Sequence, residues 1–185
     1  ALHRRIGLSE RLIMASTLNL NDLDGVVRVV RHALIGTFLF EGAGAVILSA
    51  CFAPEFGFFQ GVWRGIFHAV SAFCNAGFAL HDDNLTRYQG DPLVNLTITG
   101  LIIFGGLGFP VVLDIRRNWH GTWRQSWDRW LVHTKLMLIG TAALVFGGTL
   151  LLSILEWDGV LKNMPIWQRP MVAFFHSVSA RTAGF

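Results

Sequence analysis

The sequence FHAVSAFCNAGF, at residues 67–78, returns in a slightly shorter form as FHSVSARTAGF at residues 175–185. The two copies start 108 residues apart, which is far enough for each to belong to a larger unit that is itself repeated. Each copy is an apolar stretch that ends in Ala-Gly-Phe, and glycine adopts a positive φ more readily than other residues. Each copy is therefore predicted to form a short helix followed by a non-helical turn.

The composition is that of a membrane protein. Apolar residues make up 52% of the chain and charged residues only 15%, and the apolar residues gather in long runs. Three runs, at 33–52, 93–113 and 136–155, have the roughly 20 residues that a helix needs to cross a bilayer. We therefore expect an all-α integral membrane protein with three spans.

Two further apolar stretches, 61–72 and 168–180, are too short to cross. A helix of about 12 residues reaches about 18 Å, against a hydrocarbon core of about 30 Å. We expect each to enter the membrane and return to the same side through an extended segment, at 73–78 and 181–185. Backbone that is not helical at this depth must face protein or a water-filled path, where its carbonyls can replace the hydration shell of a cation.

The repeating unit is therefore span, pore helix, filter, span. Residues 33–113 form one complete unit, and 136–185 form a partial unit that lacks its second span. The chain begins with Ala1 rather than Met, so we expect a piece of a longer protein.

The charges indicate which side of the membrane each connection faces. Cations collect on the cytosolic side of short loops. They cluster before the first span and between the second and third spans: Arg4, Arg5, Arg11, Arg28, Arg31, Arg116, Arg117, Arg124, Arg129 and Lys135. We therefore predict that the linkers 1–32 and 114–135 are cytosolic and that the pore loops open to the outside. The net charge of +3 reflects this sidedness and does not indicate a nucleic-acid partner.

The second linker carries four tryptophans, Trp119, Trp123, Trp127 and Trp130. Their spacing puts them on one side of a helix. This predicts an amphipathic helix that lies along the inner membrane surface or packs against another subunit.

The stretches FHAVSAFCNAGF, GGLGFPV, LVHTKL and FHSVSARTAGF, in this order, resemble the pore-forming subunit of the Trk/Ktr/HKT superfamily of potassium uptake proteins, and specifically its KtrB- and TrkH-like members. The resemblance covers essentially the whole chain. It implies four units around one pore, of which this chain holds the second and most of the third. It further implies multi-pass insertion in the cell inner membrane, a homodimer, and a cytosolic nucleotide-binding regulatory subunit.

The resemblance also assigns site residues. Backbone carbonyls are expected to contact potassium at Cys74, Asn75, Ala76, Gly77, Thr182, Ala183 and Gly184, with Phe78, Arg181 and Phe185 supporting the filter. Arg181 is expected to point behind the filter and to be anchored by a carboxylate or by carbonyls, because a pore-facing guanidinium would repel the ion. No covalent chemistry, cofactor or transition-metal site is expected, and potassium is the transported ligand.

The residues leave alternatives open. The same architecture could carry sodium or ammonium, and the transport could be coupled to sodium or driven by the membrane potential alone. A membrane-embedded metalloenzyme would need Glu41, His68 and His176 to meet at a metal. For both histidines a hydrogen-bonded packing role is the simpler interpretation, and for Glu41 a structural contact.

Overall fold

A computed structural model describes residues 23–119 and 121–185. Residues 1–22 of the predicted linker 1–32 therefore lie outside the described residues, as does His120. The chain divides into two compact units at residue 39. The described part of the first unit, residues 23–39, is helical, and all sites discussed below lie in residues 40–185.

The described residues form seven α-helices and no β-strand. In chain order these are α1 (Leu23–Phe56), α2 (Phe58–Phe73), α3 (Pro92–Leu107), α4 (Phe109–Arg117), α5 (Trp123–Arg129), α6 (Val132–Leu155) and α7 (Arg169–Arg181). Two short 3₁₀ turns, Thr86–Tyr88 and Val160–Asn163, lie in the connections.

Two of these helices are long and apolar enough to cross a membrane. They are α6, and α1 from Val29 to Phe56. Their apolar side chains are largely exposed, with Phe38, Val46 and Phe146 each about 70% exposed, as expected of surfaces that face lipid. An integral membrane protein of all-α class is therefore the fold that the described residues support.

The second predicted span, 93–113, is bent. It consists of α3 and α4, which meet at an angle of 84°. The bend lies at Gly108, with φ of +80° and ψ of 156°, two residues before Pro110, which occupies the first turn of α4. Glycine permits the positive φ, and proline suits the first turn of a helix because no hydrogen bond is lost there.

The helices α2 and α7 are shorter, with 16 and 13 residues, or about 24 and 20 Å. Helix α2 packs on α3, and α7 packs on both α3 and α6. One core cluster joins both halves of residues 40–185, from Leu48 and Phe52 on α1 through Ile98 on α3 to Val178 on α7. This shared core places the two segments that follow α2 and α7 next to each other.

The predicted tryptophan helix is wrong in extent. Helix α5 has only seven residues, because Gly121 takes a φ of +63° and Trp119 precedes that turn. The four indoles nevertheless pack together, with ring centroids of neighbouring pairs 5.0 to 6.5 Å apart. Buried Trp130 is thus part of a compact aromatic cluster and not of one helix face.

Candidate functional site

The first candidate segment is the turn after α2, which we call loop A (residues 74–78). The N–H of Asn75 donates to the Ala72 carbonyl (3.1 Å) and the N–H of Ala76 to the Ser71 carbonyl (2.8 Å). Asn75 and Gly77 have φ of +54° and +70°. The chain therefore leaves helical geometry abruptly at the C-terminus of α2, where the helix dipole is negative.

The second candidate segment is the turn after α7, which we call loop B (residues 182–185). The N–H groups of Ala183 and Gly184 both donate to the Ser179 carbonyl, at 3.0 and 2.9 Å, and Gly184 has a φ of +78°. The N–H that lies five residues beyond the serine bonds to the serine carbonyl in both loops. The repeated sequence therefore produces a repeated hydrogen-bond pattern.

A serine in each helix holds the end of each loop. The Ser71 hydroxyl donates to the Phe78 carbonyl (2.8 Å) and accepts from the Phe78 N–H (2.9 Å). The Ser179 hydroxyl donates to the Phe185 carbonyl (3.0 Å). These serines were not among the predicted site residues, although the Ser shared by both copies of the motif was the signal that could have identified them. Phe78 and Phe185 were predicted to support the filter. Their main-chain groups form these bonds with the two serines.

The two loops touch each other. The Thr182 hydroxyl donates to the Asn75 amide oxygen at 2.8 Å, across 107 residues of sequence. The backbone of Gly77 lies so close to the Ala183 carbonyl oxygen that a Cβ atom on Gly77 would collide with it. The structure thus brings together the two groups of residues that the sequence singled out, and Gly77 is required twice, for its φ and for this contact.

Helix α3 lies against the C-terminal ends of α2 and α7 through a glycine pair. A Cβ atom on Gly105 would collide with the Phe73 carbonyl oxygen, and one on Gly106 would lie 2.6 Å from a guanidinium nitrogen of Arg181. Gly105 therefore allows α3 to approach the backbone at the end of α2, and Gly106 allows it to approach the charged side chain of Arg181.

Arg181 is the last residue of α7 and is half-buried. Its Nη1 donates to the Thr141 hydroxyl on α6 at 2.7 Å, and its Nε is buried without a partner among the described residues. Among the described residues, the acceptor is therefore a hydroxyl and not the carboxylate or carbonyl group that was predicted. No sequence signal identified Thr141, which is 40 residues away.

The two motif histidines have different environments. His68 is fully buried, its Nδ1 lies 2.7 Å from the Arg64 carbonyl, and its Nε2 accepts from the Leu80 N–H (3.3 Å). A neutral ring with the proton on Nδ1 satisfies both contacts. His176 is exposed on α7. The hydrogen-bonded packing interpretation thus holds for His68, and the two histidines are not equivalent.

His81 lies in the connection after loop A. Its Nδ1 is 3.0 Å from Nη1 of Arg64 and its ring stacks on His68, with centroids 5.0 Å apart. Because a guanidinium can only donate, Nδ1 must accept and the ring is neutral. Burial lowers the pKa of His81, and the positive charges of Arg64 and Arg87 lower it further.

Glu41, on α1, is half-buried and lies beside loop A, where its Oε1 is 3.8 Å from the Cys74 Sγ. This is a structural contact of the kind that the sequence favoured. Within the described residues, no group of three His, Cys, Asp or Glu side chains is placed to hold a metal ion, so Glu41, His68 and His176 do not converge.

The repeated loops, the helices that precede them and the apolar spans invite comparison with known proteins. Residues 8–185 match the family model described as "TrkH: Cation transport protein". The chain belongs to the TrkH family. The family name describes transport and not catalysis.

Relatives that match along nearly the whole chain include the following three. Ktr system potassium uptake protein B of Bacillus subtilis is 40% identical over 186 residues, covering 100% of this chain and 40% of the relative. Its namesake in Vibrio alginolyticus is 38% identical and the potassium/sodium uptake protein NtpJ of Enterococcus hirae is 39% identical, each covering 98% of this chain and 39% of the relative. The chain thus spans about two-fifths of the length of these relatives.

Proposed function

We propose that loops A and B are two neighbouring segments of a selectivity filter, and that the chain forms part of a channel-like potassium uptake protein. The contact between the loops carries this proposal: Gly77 packs on the Ala183 carbonyl and Asn75 bonds to Thr182. Each loop is non-helical backbone with a positive-φ glycine, and the two lie side by side as neighbouring segments around one axis would.

The physical reason is the cost of backbone groups in a membrane. Unpaired N–H and C=O groups cannot face lipid, but they can line a water-filled path. Carbonyls of residues 74–77 and 182–184 would then replace water around a cation, and the negative ends of α2 and α7 would favour the same charge. Four such units around one axis would complete the filter, two of them from parts of the protein outside this chain.

Potassium is the proposed ion because two of the three relatives carry potassium uptake in their names. The third is named for potassium and sodium, which favours sodium as the second candidate. The membrane potential can drive uptake, since it contributes about 2.3 kcal/mol per charge for each 100 mV, with or without coupled sodium.

The wider arrangement remains the one that the sequence and the resemblance predict. Residues 33–113 and 136–185 are the repeats, the linkers 1–32 and 114–135 are cytosolic, and the loops open outward across the inner membrane. A homodimer with a cytosolic nucleotide-binding regulatory subunit is part of the same proposal. Crosslinking of the full-length protein in membranes, followed by mass determination, tests for the second copy of the chain and for the regulatory subunit.

Rescue of a bacterium that lacks potassium uptake tests the function. The full-length gene carrying Gly77→Ser or Gly184→Ser should fail at low potassium, because each serine is forced into a left-handed conformation that costs about 1–2 kcal/mol. Gly140→Ser, in α6, is the matched control, since its Cβ atom meets nothing within 4 Å. Undiminished rescue by both loop variants would remove these loops from the ion path. A transition metal bound stoichiometrically to the purified protein would instead support the enzyme alternative.

A further inference from the structure

A groove of about 510 Å³ lies where the bent pair α3–α4 meets α6. Its walls are apolar: Phe104 and Leu107 come from the end of α3, Val112 and Ile115 from α4, and Leu138 from α6. It exists because the chain turns by 84° at Gly108, so that α4 leaves the line of α3 and opens an elbow. The groove is therefore a consequence of the bend and is separate from loops A and B.

Two residues at the far end of α4 give this groove a polar side. Arg116, in the last turn of α4, and Trp119, just beyond it, both line the groove. Arg116 lies about 12 Å along α4 from the bend at Gly108. Indole rings are typical of the level of lipid headgroups, and a guanidinium binds phosphate well.

The positive charge of Arg116 is free to bind an anion. Its side chain is exposed, and among residues 23–119 and 121–185 no carboxylate lies within ion-pair distance of it. The acidic residue of the same helix, Asp114, is buried and already occupied, because one oxygen accepts from the Leu131 N–H (2.9 Å) and the other from the Asn118 amide (2.6 Å). An apolar groove with one unpaired cation and one indole matches a phospholipid with a negative headgroup.

We propose that this groove binds one anionic phospholipid of the inner leaflet. An acyl chain lies along the apolar walls, the phosphate contacts Arg116, and the Trp119 ring lies at the level of the glycerol. Basic pockets beside transmembrane helices on the cytosolic side are sites of this kind. The inner-leaflet assignment rests on the proposed function, in which residues 114–135 are cytosolic, whereas the binding itself does not depend on ion conduction.

Native mass spectrometry of the purified full-length protein tests the proposal, with phosphatidylglycerol and phosphatidylcholine of identical acyl chains as probes. We expect one phosphatidylglycerol per chain to be retained in preference to phosphatidylcholine. Arg116→Gln should weaken its binding about fivefold, the effect of one cation near a membrane surface. Arg116→Lys should retain most of the binding, and Arg117→Gln, which removes a neighbouring charge that does not line the groove, should change it less than twofold.

Three results would overturn the proposal: equal retention of the two lipids, equal weakening by Arg116→Gln and Arg117→Gln, or no retained lipid because another part of the protein fills the groove. The thermal unfolding midpoint of each variant shows that it is folded. Binding is read from mass and not from transport, so undiminished rescue by Gly77→Ser and Gly184→Ser, which would overturn the proposed function, would leave this result unaffected.

Discussion

The bond between Arg181 and Thr141 links α7, which ends at loop B, to the long helix α6. We predict that Thr141→Val, which removes the acceptor but keeps the side-chain shape, destabilises the protein and loosens loop B. We expect the whole effect to come from the lost hydrogen bond to Arg181. It should therefore disappear when Arg181 is already replaced by Gln.

The expected magnitude follows from the contact. Nη1 and Oγ1 are 2.7 Å apart, and a hydrogen bond to a charged group contributes about 1.5–3 kcal/mol. The cost is at the upper end if the guanidinium stays buried, because its Nε already lacks a partner among the described residues. Thr141→Val should therefore lower the free energy of unfolding by about 1.5–3 kcal/mol, and the coupling energy with Arg181→Gln should have the same size.

The assay is a double-mutant cycle on the full-length protein in detergent, together with rubidium uptake in the presence of competing sodium. The matched control is Thr149→Val, on the same helix, whose hydroxyl donates to the Val145 carbonyl one turn earlier and contacts no loop. The control should leave the ratio of rubidium to sodium uptake unchanged, whereas Thr141→Val and Arg181→Gln should both lower it. If the two substitutions are additive, or if both leave uptake and selectivity at the level of Thr149→Val, Arg181 does not support loop B.

Three further predictions concern the surroundings of the loops. Ser71→Ala should lower the free energy of unfolding by about 2 kcal/mol and Ser179→Ala by about 1 kcal/mol, because the first hydroxyl makes two bonds to its loop and the second makes one; equal losses in denaturant titrations would contradict this. Gly65→Ala should cost about 1–3 kcal/mol, because its Cβ atom would lie 2.6 Å from a backbone nitrogen of α1, whereas Gly140→Ala should be near neutral in the same titration. The thermal unfolding midpoint should fall as the pH is lowered below about 6.5, because the pKa of His81 is lowered in the folded state, so that only the unfolded chain gains a proton there; a midpoint with the same pH dependence in His81→Gln would refute this origin.

The repeated motif predicted much of this arrangement because its signals are local. An apolar stretch of limited length followed by Ala-Gly-Phe indicates a short helix and a turn, and the helices that precede loops A and B end at Phe73 and Arg181, within a residue of the predicted ends at 72 and 180. The apolar runs 33–52 and 136–155 likewise fall within single helices, whereas the run 93–113 is divided between two. Helix periodicity and the length of an apolar run can be read directly from a sequence, and the run length can then be compared with the thickness of a bilayer.

The features that the sequence could not display depend on contacts between distant residues. Nothing near Arg181 indicates that Thr141 accepts its hydrogen bond, because that pairing depends on how α7 packs on α6. Pro110 indicated a kink in this span, but the 84° angle and its position at Gly108 could not be predicted, since Gly108 stands among other glycines of an apolar run and only its φ distinguishes it. The tryptophan spacing was compatible with one long helix, and the turn at Gly121 interrupts it.

The central claim is that an ion passes beside loops A and B, along the axis around which these neighbouring segments are arranged. Crystals of the full-length protein grown in potassium and soaked in thallium or rubidium salts would locate such an ion by its anomalous scattering. The account predicts anomalous peaks within coordination distance of main-chain oxygens of residues 74–77 and 182–184, on an axis reached by water. Peaks elsewhere in the protein and none beside these loops, or loop A facing acyl chains, would contradict it.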